Sequence, residues 1–219
     1  KKLRDEFKVR YYIETGTYLG IGAMVQSKNF DYVFTCEYMD KYIQILDKKL
    51  KDFNNIYCFK SSSPEWLEHS RYKYEKMPET VIYYLDAHFY DPSVPKEART
   101  PETSFVVLRE LKALRGLKNC IIIIHDFWND FGGSGITYDG VRLDMELLRK
   151  DLLEVNPDFR FYTNNKFDVY NEGNIKELID DSDALENIKY ANNTPGKRDR
   201  GILYCLPREV QIDGLTLIR

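Results

Sequence analysis

Four consecutive isoleucines, Ile121 to Ile124, follow Cys120 and run directly into His125 and Asp126. A β-branched run with no alternation has no polar face to give to water. It suits a strand covered on both sides, as in a parallel sheet between two helix layers. Val81 to Leu85 reads the same way and also ends on charge, at Asp86. Three further apolar runs come earlier: Val9 to Ile13, Tyr32 to Cys36 and Ile56 to Phe59. Helical patterns separate the runs. Leu46, Leu50 and Phe53 fall one turn apart, Ser63-Pro64 opens a segment to Lys76, and Phe105, Leu108, Leu111 and Leu114 form a stripe within Thr103 to Leu114. Val141 to Leu153 carries another. Five alternations of strand and helix predict an α/β fold with a doubly wound, mainly parallel sheet, helices on both faces and right-handed crossovers. Phe159 to Thr163 and Gly201 to Leu206 add two strands, giving about seven. Residues at about 167–198, between these two, form a polar, acidic insertion with one weak helix, Ile175 to Tyr190.

The 219 residues suit one domain with a sizeable core. Net charge is −3, so no basic field gathers nucleic acid, and Lys197-Arg198-Asp199-Arg200 reads as a solvated loop. No apolar stretch approaches the ~20 residues of a membrane span, and no signal peptide is evident. The four cysteines, at 36, 58, 120 and 205, form no CxxC pair and sit in apolar runs. They are expected as buried free thiols, which with the missing leader points to a cytoplasmic setting. The chain opens on Lys1 rather than Met, as a domain of a larger polypeptide would.

In an open α/β sheet, ligands gather at the carboxyl ends of the strands. The first run leads into Glu14-Thr15-Gly16-Thr17-Tyr18-Leu19-Gly20, where glycines let backbone turn sharply and approach a ligand. Glu37 ends the second run, twenty-one residues beyond Gly16. A carboxylate at that spacing can accept hydrogen bonds from both ribose hydroxyls of a nucleoside.

Glu14-x-Gly16-x-x-x-Gly20 with Glu37 resembles the first two motifs of class I, Rossmann-like S-adenosylmethionine-dependent methyltransferases. Leu85-Asp86-Ala87-His88 and Ile124-His125-Asp126-Phe127 resemble the fourth- and fifth-strand motifs of the branch that includes sugar and natural-product O-methyltransferases. Arg200 to Tyr204 looks like the last strand of such domains. The resemblance covers about residues 9 to 206 and implies S-adenosylmethionine as cofactor. Glu14, Thr15, Gly16, Thr17 and Gly20 would then line its methionine end, with Asp86 beside them, and Glu37 would hold its ribose. Ser62 stands where many relatives place an Asp against the adenine.

Methyl transfer from a sulfonium asks the protein for alignment and, with a hydroxyl acceptor, for removal of a proton. Asp86, His88, His125 and Asp126 are the candidates at the tips of strands four and five. Two readings stay open. A neutral His is a suitable base near pH 7. Alternatively Asp86, His125 and Asp126 bind a divalent metal (Mg, Mn or Fe); metal-dependent relatives carry two adjacent acids where this chain has His125-Asp126, and the His shifts preference away from Mg²⁺ toward Mn²⁺, Fe²⁺ or Zn²⁺. Phe89, Tyr90, Phe127 and Trp128 flank these positions as candidate pocket walls, Gly132 to Gly135 as a loop over the acceptor, and His69 reads as surface. A small-molecule hydroxyl, on a sugar or natural product, is the expected acceptor; a protein or peptide remains open.

Two rivals use the same residues. Thr15-Gly16-x-x-x-Gly20-Ile21-Gly22 matches the cofactor loop of NAD(P)-dependent short-chain dehydrogenases, which also need Tyr-x-x-x-Lys on a helix. Tyr72-x-x-x-Lys76 comes too early, and Tyr162-x-x-x-Lys166 sits in a strand-like pattern. A non-catalytic domain binding a nucleoside or a partner is the other.

Overall fold

The computed structural model describes residues 1–76, 78–87, 95–129, 135–164 and 201–218. Five mutually parallel strands carry the apolar runs: β1 (Tyr11–Thr15), β2 (Tyr32–Glu37), β3 (Ile56–Lys60), β4 (Val81–Leu85) and β5 (Cys120–Ile124). Then come a short hairpin, β6 (Thr137–Tyr138) and β7 (Val141–Arg142), and three antiparallel neighbours, β8 (Arg160–Asn164), β9 (Leu203–Leu206) and β10 (Leu215–Ile218). The main sheet runs β10-β8-β9-β5-β4-β1-β2-β3. From β1 the chain steps outward to β3, then returns to build β4 and β5 on the other side. That reversal opens a crevice at the carboxyl ends of β1 and β4.

The isoleucine run divides between two cores. Ile122 and Ile124 join Ile13, Tyr83 and Leu85 under α4 (Ser63–Glu75), α6 (Val106–Ala113) and α7 (Met145–Val155). Ile121 and Ile123 face the other way, with Tyr12, Val33 and Ile82, under α1 (Lys2–Phe7), α2 (Ile21–Ser27) and α3 (Asp40–Lys49). Each such side chain contributes roughly 1.5–3 kcal/mol when fully buried, so slipping β5 by one residue would gain nothing on either face. Register is set instead by hydrogen bonding to β4, Val81 opposite Cys120 and Leu85 opposite Ile124.

Several boundaries differ from expectation, each for a local reason. The first strand begins and ends later, because Lys2–Phe7 forms a helix closed by Lys8 in the left-handed region (φ 54°). Glu14 and Thr15 therefore lie within β1 rather than after it. The expected helix over Thr103 to Leu114 is two: α5 (Pro101–Ser104), capped by Thr100, and α6, separated by Phe105 in extended geometry. The pattern from Val141 starts its helix only at Met145, where Asp144 caps it by accepting from the Leu147 amide at 3.2 Å. The main sheet has eight strands rather than about seven; Leu215–Ile218, short and part-exposed, carried too little apolar signal. His88, Phe89, Tyr90, Gly132 to Ser134 and the 167–198 stretch lie outside the described residues.

Cys36, Cys120 and Cys205 are buried and Cys58 half-buried, all free as expected. His69 is exposed. Among the described residues no helix is long and apolar enough to cross a membrane.

Candidate functional site

The turn after β1 is folded from within. The Gly16 and Thr17 amides both donate to the Cys36 carbonyl at 3.1 Å, which pins the turn to the end of β2. Gly16 has φ 81°, and a Cβ there would fall 2.8 Å from the Asp86 carbonyl oxygen. Only glycine permits both the angle and that approach. Gly20 (φ 80°) precedes α2, with its would-be Cβ 2.8 Å from Leu46 Cδ2.

The side chains expected to face the methionine end turn inward. The Asp86 amide donates to Thr15 Oγ1 at 3.2 Å. Thr17 Oγ1 lies 2.6 Å from Thr35 Oγ1, which itself donates to Glu14 Oε2 at 3.2 Å. Glu14 is 5% exposed, beneath the first turn of α2, where a Cβ on Gly22 would fall 2.2 Å from its Oε1. Burial first, and the nearby Asp86 charge second, push the Glu14 carboxyl up to about 8, against the opposing Thr35 bond. Thr15, Thr17 and Glu14 thus shape the turn.

Glu37 closes the turn from the side. Its Oε2 accepts from the Tyr18 amide at 2.9 Å, and its Oε1 from the Tyr38 and Met39 amides, each at 2.8 Å. Tyr18 is held at φ 50°, uncommon for a residue with a side chain. Neither Tyr18 nor Thr35 was singled out in the sequence; a lone threonine in a strand and a tyrosine among glycines leave no pattern. At Ser62, next to Glu37 through the Ser61 amide on the Glu37 carbonyl, the carbonyl accepts from the Trp66 amide at 3.0 Å and starts α4.

Across the crevice, Asp86 Oδ1 lies 3.1 Å from His125 Nδ1, and Asp126 Oδ1 lies 3.3 Å from it. One donor atom from each of the three sits within 4.8 Å of the others. Asp126 is 4% exposed and sits at φ 57°, a strained angle of the kind held at functional sites. Its carbonyl accepts from the Ile136 amide at 2.8 Å, and the Trp128 amide donates to the Leu143 carbonyl at 2.8 Å. These bonds dock the β6–β7 hairpin onto the exit of β5. Asp139 (φ 48°) and Gly140 (φ 82°) make its tight turn. The sequence reading missed this hairpin; Asp139-Gly140 is the signal that could have found it. Tyr138 packs 5.2 Å from the Phe105 ring and Asp139 lies 3.9 Å from Arg99, so the hairpin also leans on the segment after β4.

Among the candidate pocket walls, Phe127 is core, 1% exposed. Trp128 lies under the Arg142 guanidinium at 4.9 Å. The dehydrogenase signature dissolves. Tyr162 is a buried strand residue whose hydroxyl accepts from the Val210 amide at 2.9 Å. Tyr72 is exposed on a helix that ends at Glu75.

No family model and no curated protein matches the chain. Among solved structures it is similar to the methyltransferase domain of bacterial CtHen1-CN, at 9% identity and TM-score 0.49, covering 94% of each chain. It is similar to the plantazolicin methyltransferase BamL in complex with a triazolic desmethylPZN analog and SAH, at 14% and 0.48, covering 94% of this chain and 80% of that one. An S-adenosylmethionine-dependent methyltransferase from Anabaena variabilis is similar at 15% and 0.41, covering 70% of this chain and 65% of that one. At these values the likeness is one of chain path alone. The chain itself shows a Rossmann-like α/β sheet with a glycine turn after β1, a carboxylate ending β2 and an Asp-His-Asp cluster at the carboxyl ends of β4 and β5.

Proposed function

We propose that this chain is an S-adenosylmethionine-dependent methyltransferase acting on a hydroxyl of a small molecule such as a sugar or natural product. One observation carries the reading. The Gly16 turn and the Asp86 loop meet backbone to backbone at the strand-order reversal, so a nucleoside lying over β1 and β2 ends against the Asp86, His125 and Asp126 cluster.

In this reading the Gly16 and Gly20 backbone receives the methionine end, Glu37 the ribose, and Ser62 borders the adenine. Asp86, His125 and Asp126 hold a divalent cation. Their donors lie near enough to one another to share one ion: a donor atom from each sits within 4.8 Å of the others. One imidazole among carboxylates favours Mn²⁺ or Fe²⁺ over Mg²⁺. When bound, the cation lowers the acceptor hydroxyl's pKa and fixes its oxygen. The strained Asp126 and the docked hairpin hold the cluster still, which is what alignment for in-line transfer requires.

Calorimetric titration with S-adenosylhomocysteine and, separately, NADP⁺ tests the cofactor. Micromolar binding of the first alone supports the reading; binding of NADP⁺ alone would reinstate the oxidoreductase. A chelator that leaves turnover intact would make the cluster a histidine base flanked by two carboxylates.

A further inference from the structure

β3 ends the main sheet, hydrogen-bonded to β2 alone among the described residues. The Val33 amide donates to the Asn55 carbonyl at 2.9 Å, and the Ser61 amide to the Glu37 carbonyl at 3.1 Å. In a parallel ladder every second residue bonds a given neighbour. Tyr57 and Phe59 therefore direct their backbone groups to β2, and Ile56, Cys58 and Lys60 turn theirs outward. Such a row is a template for another strand, and protein edges are commonly blunted by proline, bulges or charge. β3 has no proline and an unbroken register. Its one charge, Lys60, stands at the last position and is paired with Asp40. The side chains alternate too. Ile56 and Cys58 pack into the core beneath α3, while Tyr57 and Phe59 point to the opposite face, 42% and 41% exposed. They finish an aromatic row across three strands: Tyr11 lies 5.1 Å from Tyr32, Phe34 lies 5.1 Å from Tyr57, and Phe59 lies 5.6 Å from Trp66 of α4. Large apolar side chains left side by side on a surface mark an interaction site.

We propose that β3 is a homodimer interface, pairing antiparallel with the β3 of a second copy about a two-fold axis at Cys58. The outward backbone groups set this register. Cys58 meets its own counterpart in a hydrogen-bonded pair, and Ile56 meets Lys60 in the next. Tyr57 then meets Phe59 in the non-hydrogen-bonded pairs between them, where Cα atoms stand about 4.5 Å apart and side chains touch most closely. The two aromatic rows join into one. Charge agrees with a second copy as the occupant. The ion pair with Lys60 holds Asp40, the acidic start of α3, at the far end of β3, and Lys48 and Lys49 close that helix. The two-fold axis lays the acidic start of one α3 beside the basic end of the other. Such an isologous interface closes on itself, so growth stops at two.

Sedimentation velocity of the wild-type chain over about 1–100 µM should show a dimer. Tyr57→Lys sets a charge against Phe59 of the second copy and leaves the ladder to β2 in place. It should raise the dissociation constant about tenfold or more, with circular dichroism unchanged. A wild-type chain that stays monomeric throughout, or a dimer indifferent to Tyr57→Lys, would overturn the proposal. Disulfide trapping reads the register without that variant. In a Cys58→Ser background, the double variant Tyr57→Cys/Phe59→Cys should oxidise to a covalent dimer. Tyr57→Cys alone should not, because position 57 faces position 59 across the axis rather than itself. Equal trapping of the two variants, or trapping of neither, would overturn the pairing.

Discussion

Asp86 Oδ1 and His125 Nδ1, carried by neighbouring parallel strands, stand 3.1 Å apart at the mouth of the crevice. Their meeting follows from register: Leu85 pairs with Ile124, so the next residue of each strand arrives at the same level.

Removing either group should stop chemistry and spare the fold. Asp86→Asn and His125→Ala are expected to lower kcat by roughly 10²–10⁴, with circular dichroism little changed. A variant of either that keeps wild-type turnover would take that residue out of the mechanism.

Glu14 gives stability a pH dependence with a definite sign. Burial raises its carboxyl from an ordinary 4.5 to about 8 in the folded chain. The folded state binds the proton more tightly, so this contribution is complete below pH 4.5 and is lost as pH rises toward 8. Wild type should thus lose stability relative to Glu14→Gln between pH 5 and 8, with no further relative loss well above 8. Urea midpoints at pH 5, 6.5, 8 and 9 measure it; parallel curves for the two proteins would contradict the assignment.

Gly16→Ala adds a methyl where φ is 81° and the nearest neighbour is the Asp86 carbonyl, backbone that cannot swing away. A cost of about 1–3 kcal/mol is expected. S-adenosylhomocysteine affinity should fall as the turn shifts, whereas an alanine at Gly140, where nothing lies within 4 Å, should cost stability through its φ of 82° but leave affinity alone. Thermal melts and titration of both variants separate the effects.

Leu111, fully buried between α6 and the sheet, tests the core. Leu111→Ala should cost roughly 2–5 kcal/mol, seen as a lowered denaturation midpoint with cofactor affinity unchanged under native conditions.

The sequence by itself determined the parallel core of the sheet and the edge of it where charges gather. Unbroken runs such as Ile121 to Ile124 cannot be solvated on either face, and the charges that close them must sit at strand mouths. So Glu37, Asp86, His125 and Asp126 were legible as residues of one sheet edge, because period and position along the chain suffice to place them there. Tertiary structure alone decided what those residues touch. Thr15, Thr17 and Glu14 lie in the same motif as Gly16, yet their side chains face Asp86, Thr35 and the underside of α2. Glu37 meets Tyr18 across nineteen residues of chain. Phe127, next to His125 and Asp126, turns into the core. The physical reason is that a hydrogen bond is worth something only when donor and acceptor are within about 3 Å and aligned. Spacing along a chain fixes that within a helix or a strand, and packing alone fixes it between two loops.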